Sequence, residues 1–444
     1  MPAIHPFRAV QYARGSGDVS TRVAPPYDVL DAAQKAAFLS RDPANIVGID
    51  LPHVPAKELG PAGAYAGAAA SLEKFLADGT LTRREKPAIF AYRQSFTVEG
   101  KSFQRTGMAC TLDTVAFGPR EGGGVLPHEQ TFSGPKADRK ALMEATATQL
   151  SPIFGLHPDD DGAATKVLHG VCASRSPDMT ADLGDGVKHE VWTIDDEATI
   201  RAYQAALAGE DVFIADGHHR YNTALNYLES LGAVPADHPA RRTMFVLVGM
   251  SDPGLYIGPT HRVLGGMVGY SIDAFQKAAE GILDIEPVDN DPMKFEREIA
   301  RIASRGTRNV MGILDFDTGL CFCGWPATPD PLEDRFPDKP EAWRTLDVAL
   351  IQHLIVEEIC EPLLNGGNPV KWAFPHSVKE VLDIGKGAET GAGGGAGFAQ
   401  IAIIVRPTPL QAVREVSHAN ELMPQKSTFF FPKLATGLFI NPLA

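Results

Sequence analysis

The segment Asp216–Arg220 concentrates polar residue types at the start of a predicted helix. The apolar run Val212–Ala215 predicts a short buried strand before it, and apolar residues at helical spacing predict a helix after it. The first amides of a helix are unpaired and carry partial positive charge, so a bound anion collects backbone hydrogen bonds there. Glycine allows close approach to the backbone, and arginine donates two bonds to a phosphate. The pattern therefore predicts a phosphate cradle made of Asp216, Gly217, His218, His219 and Arg220.

Two other interpretations of this segment stay open. Asp216 could cap the helix while the two histidines pack locally. His218, His219 and Asp216 could instead bind a transition metal, although adjacent helical residues project about 100° apart and so rarely share one ion. The close succession of all five residues at a helix start favours the cradle over a simple cap.

A second cluster surrounds His128 and Glu129, after the glycine-rich stretch 118–124. Either side chain could act as a general base toward a hydroxyl, and Glu129 could hold Mg²⁺. Lys136 and Arg139 fall near the start of another predicted helix, where cations are unfavourable unless an anion binds. We therefore predict catalytic roles for His128 and Glu129 and phosphate contacts for Lys136 and Arg139. A capped loop with surface charges is the alternative.

A third group of residues near the C-terminus could bind phosphate or a carboxylate, namely Lys426, Ser427 and Thr428. The aromatic run Phe429–Phe431 beside them could stack on a nucleotide base. It could equally form a final strand that closes the core. The sequence leaves open whether this segment returns to the predicted cradle.

Two further pairs of residues follow segments whose backbone is constrained. Two prolines precede Tyr27 and Asp28 and force an extended chain. Asp28 is a candidate carboxylate for a base or for Mg²⁺, and a candidate cap for the helix predicted over Ala32–Leu39. His261 and Arg262 follow a predicted strand and a proline turn. We predict that Tyr27, His261 and Arg262 contact a substrate, with a purely structural role as the alternative for each.

Composition limits the possible functions. The chain has 444 residues, of which 44% are hydrophobic and 22% charged, and a net charge of −14. An acidic surface argues against a large face for nucleic acid or anionic membrane, but it permits a local basic pocket. The five cysteines show no zinc-type spacing, and no secretory signal or membrane span is recognisable. We expect a cytoplasmic protein with reduced thiols that binds small molecules and neither nucleic acid nor membrane.

Hydrophobic periodicity predicts an α/β fold of the mixed α+β kind, with the strand, the cradle and its helix as one unit. We predict a first domain over residues 1–267 that contains the cradle, and a second α+β domain over 268–444. A β-hairpin is predicted over Lys86–Leu112. Helices are predicted over 63–77, from Pro135 to Gln149, and over 195–208, 272–283, 292–303 and 341–360.

The D-G-H-H-R box resembles the phosphate-binding box of the ParB/sulfiredoxin superfamily, and is most similar to that of its free-serine kinases. The whole chain resembles a bacterial family known as domain of unknown function 1015, through Ala24–Asp28, Pro127–Glu129, the box itself, Pro259–Arg262 and Met423–Thr428. His218 stands where sulfiredoxins need a cysteine, so sulfinic-acid repair is not expected.

This resemblance implies a ParB/sulfiredoxin-like core and a nucleotide-dependent small-molecule kinase. Such an enzyme would use Mg²⁺ with ATP or ADP, and its substrate would be serine or a similar hydroxy amino acid. A nucleotide-binding regulator without turnover and a hydrolase of phosphate esters are the alternatives. Each would use the same phosphate cradle, and the sequence does not indicate an oligomeric state.

Overall fold

A computed structural model describes residues 1–13, 17–56, 58–129, 133–388 and 393–444. The chain divides into two compact units, the first made of Met1–Tyr256 and Phe430–Ala444 and the second of Ile257–Phe429. The predicted boundary follows residue 267, whereas the chain first leaves the first unit after Tyr256. The return of the C-terminal residues to the first unit is a feature that the predicted division does not contain.

The first unit is built on a mixed sheet to which nine described strands contribute. The strand Lys101–Asp113 lies near its middle and also pairs with Ile4–His5. Some pairs of neighbouring strands in this sheet are parallel and others are antiparallel. From one edge to the other, the strands are Val125–Leu126, Val212–Asp216, Ile153–His157, Arg242–Gly249, Lys101–Asp113, Ile89–Val98, Lys188–Ile194 and Met179–Asp182.

Helices pack on this sheet through apolar stripes, and the resulting core buries large side chains such as Trp192, Tyr203 and Phe245. Two small strand pairs complete the unit, Val10–Tyr12 with Leu81–Arg83 and Thr148–Gln149 with Asn441–Pro442. The helices of the unit are Ala32–Arg41, Val47–Asp50, Ala62–Ala77, Ser133–Thr146, Ala163–Ser174, Glu197–Ala206 and His218–Ser230.

The second unit has an antiparallel sheet of six described strands with an apolar cluster on each face. In spatial order these strands are Leu283–Pro287, Cys321–Pro326, Met311–Asp315, Ala399–Ile404, Arg262–Gly265 and Lys371–Ala373. Its helices are Ile272–Ala278, Phe295–Ala303, Glu341–Arg344, Asp347–Leu350, the π-helix Ile351–Leu364, Val378–Gly385 and Leu410–His418. The short strands Tyr256–Gly258 and Phe429–Phe431 lie where the chain passes from one unit to the other.

The mixed α/β class is confirmed, as are the hairpin and the strand that leads through the box into a helix. The helix predicted to reach Gln149 ends at Thr146, because Ala147 adopts a φ of 43° and a strand follows. The helix predicted over 272–283 ends at Ala278, and Leu283 already belongs to a strand. Over 341–360 the single predicted helix is divided into separate segments.

The proposed cap at Asp28 is wrong. Asp28 lies in a short turn of 3₁₀-helix, Tyr27–Val29, and the following helix is capped by Asp31 instead. The side chain of Asp31 accepts a hydrogen bond from the amide of Gln34, whose own side chain returns one to the backbone of Asp31. This reciprocal arrangement is a capping box, so Asp28 is left exposed.

Across the described residues, none of the helices combines the length and the apolar character that crossing a membrane requires. All five cysteines are buried and free of disulfide bonds.

Candidate functional site

The strand Val212–Asp216 brings Asp216 to the edge of the sheet beside His128. Val212 and Phe213 pair in parallel with Val125 and Leu126, so both chains leave the sheet at the same end. On the other side, the antiparallel register with Ile153–His157 shifts between Ile214 and Asp216. Such an irregularity re-aims the side chains beside it. The two motifs that the sequence separates by some ninety positions therefore meet in space.

Gly217 forms the turn from this strand into the helix His218–Ser230. Its φ is 99°, in the left-handed region that favours glycine, and no side chain caps the helix. The simple cap interpretation of Asp216 is therefore wrong. A Cβ at position 217 would lie 3.1 Å from Cζ and Nε of Arg220. The backbone conformation thus favours glycine, and Arg220 leaves little space for a side chain at this position.

Asp216 is the centre of a three-residue ion cluster. One carboxylate oxygen accepts from the Arg220 guanidinium, and the other lies 2.5 Å from Nζ of Lys433. Burial opposes ionisation of Asp216, but the Lys433 ammonium and the Arg220 guanidinium outweigh it and hold its pKa well below the ordinary value. Arg220 also donates to the backbone oxygen of Pro152. The cluster carries two cations and one anion, so it has a net positive charge.

Lys433 is held by its own backbone at the Asp216 cluster. Its carbonyl oxygen accepts a hydrogen bond of 2.9 Å from the side chain of Gln94. The buried Arg105 donates to the carbonyl oxygens of the two preceding residues, Phe431 at 3.1 Å and Pro432 at 2.5 Å. The guanidinium of Arg105 is stacked 4.4 Å from the centre of the Phe154 ring. The C-terminal segment is therefore fixed where its lysine contacts Asp216.

His128 and His218 form a buried pair of rings beside this cluster. Their centroids lie 4.8 Å apart in an edge-on arrangement, and Nε2 of His218 accepts from the amide of His128 at 3.3 Å. Burial lowers the pKa of both histidines, and Lys433 lowers both further. His128 also lowers the pKa of His218. Burial therefore favours the neutral form of both rings. Glu129 follows, 22% exposed, with its carboxylate 3.9 Å from Nε2 of His128.

A small cavity, which we call the arginine cavity, lies on the other side of Arg220. Its volume is about 40 Å³. Polar lining comes from Tyr27, Asp50, Arg139, Arg220, Thr148, Gln149, Ser151, Thr223 and Thr243, and apolar lining from Leu142, Met143, Leu150, Ile153 and Met244. Three residues singled out in the sequence (Tyr27, Arg139 and Arg220) thus meet around one space. Burial raises the pKa of Asp50, although Arg139 and Ser151 act against that rise.

The remaining predicted residues of the first unit lie around these features. His219 is half-buried in the first turn of its helix, and Lys136 is half-buried on the helix Ser133–Thr146. The argument that Arg139 needs an external anion does not hold, because the protein supplies carboxylates. Arg139 donates to Oδ2 of Asp138 at 2.7 Å and lies 3.4 Å from Oδ1 of Asp50.

Five other predicted residues belong to the second unit and form a separate group. Arg262 donates to the backbone oxygens of Thr260, at 2.5 Å, and Lys426, at 3.0 Å. His261 accepts from the amide of Val405 at 3.2 Å, and burial lowers its pKa to about 4. The Lys426 side chain is exposed. The remaining two, Ser427 and Thr428, follow it in the chain, with Ser427 buried and Thr428 half-buried.

Nowhere in the described ranges do three or more His, Cys, Asp or Glu side chains form a group suited to a metal ion. The metal interpretation of His218, His219 and Asp216 has no support from the geometry. Mg²⁺ normally binds proteins through one or two carboxylates together with substrate phosphates. Glu129 and Asp28 are the carboxylates predicted for this role.

The family model described as "Protein of unknown function (DUF1015)" matches residues 4–349. This chain belongs to that family. No curated protein matches it. Solved structures to which it is similar include a free serine kinase in complex with ADP, at 13% identity and a TM-score of 0.33, covering 69% of this chain and 83% of that one.

Two further solved structures are similar to the chain. A conserved hypothetical protein from Pyrococcus furiosus is 14% identical, with a TM-score of 0.30 and coverage of 69% of this chain and 86% of that one. SbnI with a C-terminal truncation, from Staphylococcus aureus, is 12% identical, with a TM-score of 0.32 and coverage of 72% and 84%. Scores of this size carry no conclusion about activity. The predicted family membership is confirmed.

The predicted site residues do not include Lys433, Asp50, Asp138 or His53. Lys433 follows the aromatic run that had drawn attention to Lys426, and only the course of the chain shows which lysine contacts Asp216. Asp50 and Asp138 are acids within helices, without a motif around them. His53 lies alone in a proline-rich stretch, yet its Nε2 is 2.6 Å from Oδ1 of Asp138.

Proposed function

We propose that this protein is a nucleotide-dependent small-molecule kinase and that its substrate is serine or a similar hydroxy amino acid. The observation that carries the proposal is the Lys433 ammonium beside Asp216, at the start of the helix His218–Ser230. A helix start and a cation held beside it are two features that hold the phosphates of a nucleotide. The substrate class rests on the resemblance of the box to free-serine kinases.

In this proposal the phosphates lie over Gly217, where the missing side chain allows backbone amides of His218 and His219 to donate. Lys433 neutralises negative charge on the transferred group. Arg220 has a different role from the one predicted: it binds Asp216 and Pro152, so it fixes the carboxylate that in turn orients Lys433. Phosphoryl transfer depends mainly on such positioning and charge stabilisation.

A carboxylate must accept the proton of the substrate hydroxyl as the new bond to phosphorus forms. Glu129 is our first choice, because it lies beside His128, which follows the strand next to the one that ends at Asp216. Burial lowers the pKa of His128 and its side chain is fully enclosed, so its role in this proposal is to support the position of Glu129. Asp28 is the second choice, since it is exposed and adjoins Tyr27 at the arginine cavity.

Incubation of the full chain with ATP, Mg²⁺ and a panel of hydroxy amino acids tests the proposal. Phosphorus NMR should show a phosphorylated amino acid and ADP in equal amounts. Release of inorganic phosphate without an acceptor would favour a hydrolase, and nucleotide binding without any product would favour a regulator.

The base is tested by Glu129→Gln, with the exposed Glu121→Gln as matched control. General bases typically contribute about 10²–10⁴-fold to the rate, so turnover should fall by that factor in Glu129→Gln alone. Full turnover in Glu129→Gln would remove Glu129 from the mechanism and leave Asp28 to be tested by Asp28→Asn.

A further inference from the structure

The buried guanidinium of Arg105 binds neutral oxygen atoms in place of a carboxylate. In the part of the chain that the structure describes, its acceptors are the side-chain oxygen of Gln94 and the backbone oxygens of Phe431 and Pro432. Only 1% of Arg105 is exposed. Burial lowers its pKa to about 10, so the side chain is still charged near neutral pH. Arg105 is therefore a buried cation whose hydrogen bonds all go to uncharged partners.

Stability alone does not explain a charged side chain at this position. Moving a charge out of water costs free energy, and uncharged partners offset that cost less well than a carboxylate does. Asp252 and Asp216 act against the fall in the pKa of Arg105, but neither forms a hydrogen bond with it. Well-packed apolar residues in place of buried charged groups are often neutral or stabilising. The guanidinium is therefore better explained by the backbone that it binds.

Arg105 reaches this backbone from one face of the sheet, together with Gln94. The two residues lie directly opposite each other on the antiparallel strands Lys101–Asp113 and Ile89–Val98, so their side chains share a face. The Gln94 side chain accepts from Arg105 through its oxygen and donates through its nitrogen to the backbone oxygen of Lys433 at 2.9 Å. The pair therefore binds the backbone oxygens of three consecutive residues, the last of which is Lys433.

The remainder of the C-terminal segment Phe430–Ala444 has other anchors. The three consecutive apolar residues 438–440 are completely buried. Thr436 and Ala24 exchange two backbone hydrogen bonds, of 2.8 Å and 3.2 Å. These contacts keep the segment in the first unit without the help of Arg105. Loss of the guanidinium should therefore leave the segment attached and displace the backbone that carries Lys433.

We propose that Arg105 is a positioning residue that acts through Lys433: with Gln94 it fixes the backbone at Lys433 and thereby keeps the ammonium group at Asp216. The inference rests on the proposed function, because this ammonium group is the one assigned there to the nucleotide phosphates. Lysine lacks the planar fork with which arginine binds several oxygen atoms in a fixed geometry. Arg105→Lys should therefore keep the charge and lose the positioning.

A double-mutant cycle in urea unfolding tests the positioning without any nucleotide. It compares the wild type, Arg105→Lys, Lys433→Gln and the variant with both changes. In the wild type, Lys433→Gln should lower the ratio of folded to unfolded protein about tenfold, because Asp216 loses a charged partner. In the Arg105→Lys background the same change should lower this ratio less than about twofold. Equal effects in the two backgrounds would show that Arg105 only stabilises the fold, and would overturn the inference.

A second variant covers the case in which Arg105→Lys does not fold. Gln94→Glu keeps an acceptor for Arg105, but it places an oxygen where the donor to the Lys433 backbone was. In this background too, the effect of Lys433→Gln should fall below about twofold. Gln104→Glu, which introduces the same charge at an exposed position, should leave the effect at about tenfold. A tenfold effect of Lys433→Gln in the Gln94→Glu background would contradict the positioning role.

Titration with ADP separates this inference from the proposed kinase. Arg105→Lys should bind ADP about tenfold more weakly than the wild type, whereas Arg120→Lys, which alters an exposed arginine, should bind it equally well. If the wild type binds ADP and Arg105→Lys binds it with the same affinity, the inference is wrong. Failure of the wild type to bind ADP would instead contradict the proposed kinase, while the unfolding cycle would still decide whether Arg105 acts through Lys433.

Discussion

Replacement of Gly217 by alanine should destabilise the first unit and disturb the predicted phosphate site together. The φ of 99° costs an alanine about 1–2 kcal/mol in the left-handed region. The new Cβ would also lie 3.1 Å from Cζ and Nε of Arg220, which cannot retreat freely because Asp216 and Pro152 hold it. Weakening these bonds should add about 1 kcal/mol, so the total loss should be about 2–3 kcal/mol.

Gly209→Ala is the matched control for this prediction. Gly209 has a φ of 84°, but a Cβ there meets nothing within 4 Å. Gly209→Ala should therefore lose only the stability that the left-handed backbone conformation costs an alanine, because the new Cβ contacts no other atom. Urea unfolding of both variants gives the two losses, and ADP titration shows whether binding is disturbed. Equal destabilisation of the two variants, with ADP affinity unchanged in Gly217→Ala, would refute the claim that Arg220 restricts this position.

Three further changes can be measured on the same protein. Lys433→Gln should lower the free energy of unfolding by about 1–3 kcal/mol, because Asp216 loses a charged partner, whereas Lys426→Gln should have little effect. Because the folded-state pKa of Asp216 lies below the ordinary 3.8, its contribution to stability is present above that value and is lost on acidification. The difference in the free energy of unfolding between wild type and Lys433→Gln should therefore be constant from about pH 7 to about pH 5 and should shrink below pH 3.8. A difference in this free energy that grows on acidification would contradict the ion cluster. Finally, all five cysteines should resist a thiol reagent in the native protein and react after unfolding, since they are buried, and fast labelling of the native chain would disagree with this burial.

Local features of the fold could be predicted from the sequence because their causes are local. The alternation of residues over 89–113 specifies a hairpin, and the apolar run before the box specifies a buried strand. The predictions were wrong where a single residue decides where a helix begins or ends. Asp31 rather than Asp28 caps its helix, because only Asp31 has a glutamine three positions later to complete the capping box. The left-handed conformation of Ala147 has no sequence signal comparable to a glycine.

Contacts over long sequence separations account for what could not be predicted at the site. The approach of Lys433 to Asp216 depends on the return of Phe430–Ala444 to the first unit, a property of the whole topology. The grouping of Tyr27 with Arg139 likewise depends on how the helix Ser133–Thr146 packs. Residue type alone drew attention to Tyr27, Arg139 and Arg220, but it could not show that the protein itself supplies carboxylates for both arginines.

The most direct test of the central claim is the affinity of ADP for the wild type and for Lys433→Gln, measured by calorimetry with Mg²⁺. If phosphates lie at the helix start beside Lys433, the variant should bind ADP about 10–100-fold more weakly, as the loss of a charged hydrogen bond implies. Lys101→Gln, which alters an exposed lysine outside the predicted site, should bind like the wild type. No ADP binding by the wild type, or equal affinities in all three proteins, would contradict a nucleotide site at Gly217 and Lys433.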